Sequence, residues 1–262
     1  MLLDVGGLRV TAGGREVVHG ASLTVARGEA LGLVGESGSG KTLTCRAILG
    51  VLPGACAVAS GSIDFDGVDL TTLDARGWRE LRSTRVGAVF QDPASYLNPS
   101  LPVGRQLGEV LRVKGGLSRR EARARVLELF AAVGLRRPEV VRRQIPSQLS
   151  GGMQQRVMIA IAIACDPDLL IADEPTSALD VKTQAEIVAL LRSLRARFGL
   201  SLLFVSHDLA VVSELCDRIA VFRHGEIVET APTAELLSAP QHAYTRSLLA
   251  AGAPGGLVHA VA

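Results

Sequence analysis

A glycine-rich segment with one lysine and one threonine, GESGSGKT, occupies positions 35–42. It fits the pattern G-x-x-x-x-G-K-[ST] and lies between a predicted strand and a predicted helix, which is the context that this motif requires. Glycines allow the backbone to curl so that its N–H groups converge, and the following helix N-terminus adds positive potential. The ammonium of Lys41 suits β and γ phosphates, and the hydroxyl of Thr42 suits Mg²⁺. The predicted phosphate-binding residues are Gly35, Glu36, Ser37, Gly38, Ser39, Gly40, Lys41 and Thr42.

A pair of acidic residues, Asp173 and Glu174, follows the apolar run LLIA at positions 169–172. Ligands of an α/β sheet bind at the carboxyl ends of its strands, and two adjacent carboxylates there are expensive without a partner. Mg²⁺ and a water molecule would provide such a partner for the two carboxylates. We therefore expect Asp173 to hold Mg²⁺ through water and Glu174 to polarise the attacking water as a general base.

A second small-residue helix start, Ser150-Gly151-Gly152, opens the strongly apolar stretch MQQRVMIAIAIA. Such a helix N-terminus suits a second phosphate contact. One nucleotide does not need two such cradles in one chain. The pattern therefore favours a head-to-tail pair in which these residues of one subunit close on the nucleotide of the other.

The composition limits the class of protein that positions these groups. The 262 residues are 48% hydrophobic and 21% charged, which excludes disorder as the main state. The net charge of +2 and the small set of one Trp, two Tyr and six Phe argue against nucleic-acid binding. Four cysteines without a CxxC pair argue against a disulfide framework or a zinc site. No signal peptide is seen, and the longest apolar run, at 157–165, is too short to cross a bilayer.

Strands alternate with helices over most of the chain, which predicts an α/β fold with a parallel sheet. Before that alternation, residues 2–34 read as an antiparallel β subdomain leading into a buried strand, and residues 92–165 read as an inserted helical subdomain. One domain is predicted at 1–250, followed by a short tail at 251–262. The other predicted elements are strands at 30–34, 85–90, 169–172, 201–205 and 218–222, and helices at 41–49, 118–133, 152–164, 181–197 and 209–215.

Three further motifs complete a set that follows a fixed order along the chain: QDP with Gln91, SALD with Asp180 and VSHD with His207. With GESGSGKT, LSGGMQQR and the acidic strand, this set resembles ATP-binding-cassette (ABC) ATPases over nearly the whole chain. The resemblance implies a P-loop NTPase fold of the ABC type. It implies ATP and Mg²⁺ as cofactors, with Gln91 as a Mg²⁺ ligand facing a membrane partner, Asp180 of the D-loop at the bound nucleotide and His207 on the γ phosphate.

The resemblance also implies partners and a place in the cell. A motor subunit of this kind works with two transmembrane permeases and a second homologous ATPase subunit, here expected as a heterodimer, with a homodimer possible. An extracellular or periplasmic substrate-binding protein acts indirectly, and no nucleic acid is expected. The implied location is the cytoplasmic face of the cell membrane, as a peripheral protein.

Local segments point to one branch of the family. QDPASYLNPSLPVG at 91–104 and QHAYTRSLLAA at 241–251 are similar to peptide and nickel importers. The first ATPase subunit of nickel importers resembles this chain in two more segments, LVGESGSGKTLTC and GGMQQRVMIAIAIA followed by a single cysteine. No cysteine-bearing extension follows. We expect import of nickel, free or chelated, or of small peptides. The alternatives are dipeptide, oligopeptide, metallophore or opine importers and, less favoured, a non-transport ABC ATPase.

One departure from the family pattern concerns adenine. The family usually places an aromatic residue upstream of the first buried strand, but TAGGREVV at 11–18 has none. Val17 or Val18 is expected to pack against the base instead. Because aromatic stacking adds about 0.5–1.5 kcal/mol beyond area, its loss predicts weak discrimination between ATP and GTP.

Overall fold

The computed structural model describes residues 1–252, so the predicted tail lies outside the described residues from position 253 onward. The strands are β1 (Leu3–Ala12), β2 (Arg15–Val25), β3 (Ala30–Val34), β4 (Cys56–Phe65), β5 (Val68–Asp69), β6 (Val86–Val89), β7 (Leu169–Asp173), β8 (Ser201–Val205), β9 (Arg218–Arg223) and β10 (Glu226–Pro232). The helices are α1 (Lys41–Ile48), α2 (Ala75–Thr84), α3 (Pro93–Tyr96), α4 (Val103–Val113), α5 (Arg119–Ala132), α6 (Pro138–Val141), α7 (Gly151–Ala162), α8 (Val181–Phe198), α9 (Leu209–Leu215), α10 (Thr233–Ser238) and α11 (Ala243–Gly252).

The chain forms two compact units. The first combines Met1–Thr71 with the described residues from Leu203 onward, and the second is Thr72–Leu202. The predicted helical subdomain at 92–165 lies inside the second unit, and its boundaries stay a prediction. Among residues 1–252, no helix is both long and apolar enough to span a membrane.

An antiparallel sheet with the order β2-β1-β4-β5 opens the first unit, and its strands β1 and β2 lie within the segment 2–34 that was predicted to be antiparallel. The β4–β5 hairpin turns at Asp66 and Gly67, whose φ angles are 55° and 82°. Positive φ at both central residues matches the right-handed twist of the flanking strands, and Asp-Gly is a favoured pair for such a turn.

A second group of strands in the first unit carries the glycine-rich loop. β3 pairs in parallel with β9 and also neighbours β8, while β10 joins β9 antiparallel. All five residues of β3 are buried, as expected for a strand covered on both faces. The antiparallel edge strand β10 and the helices after it were not predicted. Because β10 runs antiparallel to β9, the sheet is mixed rather than wholly parallel.

In the second unit, β6 and β7 pair in parallel, from Val86 opposite Leu169 to Val89 opposite Ala172. The helix α5 begins at a capping box. Ser118 Oγ accepts from the backbone N–H of Glu121 at 3.3 Å, and the Glu121 carboxylate accepts from the backbone N–H of Ser118 at 2.8 Å. Two orphan N–H groups of the helix start are thus satisfied reciprocally.

Gly32 on β3 makes room for α9. A Cβ at this position would lie 2.1 Å from Val212 Cγ1 and 3.2 Å from Cys216 Sγ. We predict that Gly32→Ala lowers the free energy of unfolding by about 1–3 kcal/mol, because overpacking a tight core forces neighbours to move. Urea denaturation measures this. Gly54→Ala is the matched control, since a Cβ at Gly54 meets nothing within 4 Å. Equal stability of the two variants would contradict the packing argument.

Candidate nucleotide site

The loop between β3 and α1 encloses the side chain of Lys41, which is only 4% exposed. Its Nζ donates to the carbonyl oxygens of Gly35 at 2.8 Å and Glu36 at 2.7 Å, and to Ser39 Oγ at 3.2 Å. A buried ammonium is tolerated only when oxygen atoms compensate for lost water. The loop therefore presents a fixed positive charge surrounded by its own backbone.

Two glycines give this loop its path. Gly35 has a φ of 150°, and a Cβ there would lie 2.1 Å from the carbonyl oxygen of Phe222. Gly40 has a φ of 111° and forms the N-cap of α1 without any side-chain capping bond. The first turn of α1 thus begins beside a buried ammonium with no capping side chain, and this combination fits a phosphate group.

Two hydrogen bonds with residues later in the chain hold the backbone of the glycine-rich loop in place. The backbone N–H of Gly225, in the β9–β10 turn, donates to the Ser39 carbonyl at 2.9 Å. The backbone N–H of Glu36 donates to the hydroxyl of Tyr244 at 3.2 Å. Sequence reasoning missed both residues, because nothing in the spacing links positions 225 and 244 to the loop.

His207 lies just after β8 in the same unit. The backbone N–H of Ser206 donates to the Leu33 carbonyl at 3.1 Å, which places this turn beside the end of β3, where the loop begins. Asp208 caps α9 by accepting from the N–H of Ala210 at 2.9 Å. His207 is exposed at this edge, and its contact with the γ phosphate stays a prediction.

In the second unit, Gln91 and the acidic pair lie at one edge. They follow the neighbouring parallel strands β6 and β7, whose last paired residues are Val89 and Ala172. Asp173 is buried, and Glu174 is partly exposed with a φ of 49°. A left-handed conformation at a residue with a side chain is strained by about 1–2 kcal/mol, and such strain concentrates at functional sites.

The second unit also brings the starts of α7 and α8 together. Ser150 Oγ caps α7 by accepting from the N–H of Met153 at 3.3 Å, and a Cβ on Gly152 would lie 2.6 Å from Thr183 Cγ2. Asp180 caps α8 by accepting from the N–H of Thr183 at 3.0 Å and from its hydroxyl at 2.7 Å. These bonds hold the pKa of the Asp180 carboxyl below its ordinary value, so it is ionised at neutral pH.

The predicted residues thus fall into two sets, each described within its own unit. The loop and His207 belong to the first, while Gln91, Asp173 and Glu174 join the starts of α7 and α8 in the second. Within the described residues, no cluster of three His, Cys, Asp or Glu side chains could hold a metal ion by itself.

Of the two valines expected near adenine, only one has an accessible side chain. Val18 is fully buried, and its Cγ2 would lie 3.3 Å from a Cβ on Gly40. Val17 is half-buried on the preceding position of β2. Val17 is therefore the remaining candidate, and weak discrimination between bases stays a prediction.

Comparison with known proteins gives the family. The ABC transporter profile matches residues 18–177, more than half of the chain. The chain is 47% identical over 243 residues to the peptidoglycan transport ATP-binding protein YejF of Agrobacterium fabrum, covering 92% of this chain but 44% of that one. It is 45% identical over 252 residues to the dipeptide transport ATP-binding protein DppD of Haemophilus influenzae, covering 95% and 76%.

A solved structure supports the same assignment. The ATP-binding cassette MJ0796, described as a dimer in a post-hydrolysis state bound to ADP and Pi, matches with a TM-score of 0.78 and 30% identity, covering 88% of this chain and 99% of that one. With the buried lysine and the open helix start that the loop provides, these matches lead to one conclusion. The chain belongs to the ABC transporter family and is an ATP-hydrolysing cassette of that family, with ATP and Mg²⁺ as its cofactors.

Proposed function

We propose that this chain is the ATP-hydrolysing subunit of a membrane importer for small peptides. The similarity to DppD, which is named for dipeptide transport, over 95% of the chain carries the choice of cargo. YejF is named for peptidoglycan transport, and neither relative is named for nickel. The expected nickel cargo therefore has no support from them, although it remains an outcome of the uptake experiment below.

The buried ammonium of Lys41 binds the β and γ phosphates, and the uncapped start of α1 adds its N–H groups. MgATP supplies the transferable γ-phosphoryl group and the metal charge that neutralises it. Thr42 and Gln91 would hold the metal when it is bound, and Asp173 would hold it through water. Glu174 accepts a proton from the attacking water at its carboxylate, and His207 orients the γ phosphate.

A second ATPase subunit completes the arrangement. Ser150 and Gly151 are exposed at the start of α7, and Asp180 is exposed at the start of α8. Exposed N–H groups at a helix start suit a phosphate supplied from outside the chain. The related cassette MJ0796 is described as a dimer. The partner here is a homologous ATPase, either a different chain or a second copy.

Contact with the permeases needs a surface as well, and the second unit has a suitable cleft. A cleft of about 750 Å³ lies between α4 and α5, with Val113, Leu117 and Val126 among its apolar residues. Its arginines are Arg105, Arg112, Arg119, Arg123, Arg142 and Arg143. Apolar residues beside clustered positive charge fit an acidic amphipathic segment of a permease, which would hold the chain peripherally at the cytoplasmic face.

We predict that Glu174→Gln binds MgATP with nearly unchanged affinity but hydrolyses it about 10²–10⁴-fold more slowly, because the amide cannot accept the proton. Phosphate release and equilibrium binding of ATP measure the two effects. Glu80→Gln is the matched control, since Glu80 is exposed on α2. Rapid hydrolysis by Glu174→Gln would remove Glu174 from the role of general base.

The cargo is tested by uptake in cells with and without this chain. We expect loss of labelled dipeptide uptake when the chain is deleted, with nickel uptake unchanged. Loss of nickel uptake that excess dipeptide does not affect would contradict the peptide proposal and restore the nickel branch. If neither uptake changes, the proposal of an importer for these two cargoes fails.

The arginine cleft is tested by reversing charge. We predict that Arg112→Glu combined with Arg123→Glu reduces recovery of the chain with its permeases in detergent extracts by about tenfold, because opposed charges become like charges. Arg76→Glu with Arg79→Glu is the matched control, since it changes the same net charge on the exposed surface of α2. Equal recovery of both double variants would exclude the cleft as the permease contact. ATP binding by each variant checks that it is folded.

A further inference from the structure

The hydroxyl of Tyr244 lies behind the glycine-rich loop. It accepts a hydrogen bond from the backbone N–H of Glu36 at 3.2 Å. The Tyr244 side chain is otherwise enclosed, with the residue 6% exposed. A tyrosine placed more than 200 positions after the loop therefore contacts the loop's backbone directly.

The hydrogen bond between Glu36 and Tyr244 also affects an oxygen partner of Lys41. The carbonyl of Gly35 and the N–H of Glu36 belong to one rigid, planar peptide unit whose two polar groups point in opposite directions. The carbonyl end accepts from Lys41 Nζ at 2.8 Å, and the N–H end donates to Tyr244. Fixing one end of the peptide fixes the direction of the other. The tyrosine hydroxyl thus determines where one of the lysine's oxygen partners points.

The ring of Tyr244 is itself held in place. The guanidinium of Arg223, at the end of β9, lies 4.8 Å from the ring centroid, which is a cation–π distance. Burial raises the pKa of Tyr244 above its ordinary value, so the phenol keeps its proton at neutral pH. The hydroxyl is therefore a neutral acceptor for the Glu36 N–H throughout the physiological range.

The backbone around the tyrosine is tied to β10. The carboxylate of Glu229 accepts from the backbone N–H of Gln241 at 2.8 Å and of His242 at 3.0 Å. The imidazole Nδ1 of His242 then accepts from the backbone N–H of Tyr244 at 3.2 Å. This chain of bonds sets the start of α11 so that the phenol reaches the loop.

From this geometry we propose that Tyr244 is a positioning residue for Lys41: it fixes the Gly35–Glu36 peptide and thereby holds the lysine where it meets the ATP phosphates. The inference rests on the proposed role of Lys41 in binding the β and γ phosphates. It assigns a function to the QHAYTRSLLAA segment, which otherwise serves only as a mark of resemblance.

The test measures equilibrium binding of a fluorescent ATP analogue with Mg²⁺ to the full chain. Tyr244→Phe keeps the ring beneath Arg223 and removes the hydroxyl, so the Glu36 N–H loses its partner and the hydroxyl's bond to the Glu36 side chain is lost with it. We expect affinity to fall about five- to tenfold, which corresponds to one buried hydrogen bond. Tyr96→Phe is the matched control, because Tyr96 is 50% exposed and stacks on Phe90 through its ring alone. Its affinity should equal that of the unaltered chain.

A double-mutant cycle separates positioning from a general structural effect. Lys41→Ala alone should weaken binding strongly, and adding Tyr244→Phe to it should change affinity by less than about twofold, because the two residues act on one contact. Additive losses would overturn the inference, as would unaltered affinity of Tyr244→Phe alone. If Lys41→Ala left affinity unchanged, the proposed role of Lys41 itself would fail, whatever Tyr244 does.

Arg223→Gln provides a second variant if Tyr244→Phe does not fold, as judged by its melting temperature. It frees the ring and leaves the hydroxyl present. We expect a smaller loss of affinity than for Tyr244→Phe, and again no further loss when Lys41→Ala is also present. A loss that is additive with Lys41→Ala would overturn the inference.

Discussion

The buried ammonium of Lys41 is the constraint around which the first unit is built. A charge with 4% exposure is stable only among oxygen atoms, and the loop supplies them from Gly35, Glu36 and Ser39. For two backbone carbonyls to turn toward one side chain, the chain must leave β3 along a path that brings Gly35 against the carbonyl oxygen of Phe222. The glycine-rich composition of the loop follows from that path.

Hydrogen bonds from outside the loop also hold this backbone path, so elements distant in sequence help to fix the conformation of the loop. The β9–β10 turn binds the Ser39 carbonyl through Gly225, and α11 binds the Glu36 N–H through Tyr244. Because the Gly35 carbonyl turns toward the ammonium, the N–H of the same planar peptide points away and needs its own acceptor, which Tyr244 supplies. The strands and helices after β8 are therefore part of how the loop keeps its form before any phosphate arrives.

These late elements are also where sequence reasoning was weakest. β3, β8 and α9 were predicted with the bounds that the structure gives, because their apolar runs are buried on both sides or follow a clear cap. β10 carries no such run: its residues EIVETAP are all exposed or half-buried at the edge of the sheet. The charged helix α2 was missed for a related reason, since Leu81 is its only buried residue.

Motif spacing located the site residues better than it described their geometry. It placed Gln91 and Glu174 after two strands, and the parallel pairing of β6 with β7 brings them to one edge. It could not indicate that Glu174 takes a φ of 49°, because backbone conformation there depends on the turn that Ser177 closes onto the Glu174 carbonyl. A carboxylate on a strained turn is held in one direction more firmly than its exposure alone would suggest.

Ser150 and Asp180 differ in the hydrogen bonds that they can still form with a partner. Ser150 already accepts the N–H of Met153 to cap α7, and Asp180 is likewise engaged with Thr183. A serine hydroxyl that accepts one bond still has its proton to donate, whereas an ionised carboxylate can only accept. Ser150 can therefore cap its own helix and bind an external phosphate at once, while Asp180 would repel that phosphate and attract donors instead. Two neighbouring helix starts thus offer opposite chemistry, which suits a partner subunit that brings both an anion and hydrogen-bond donors to this surface.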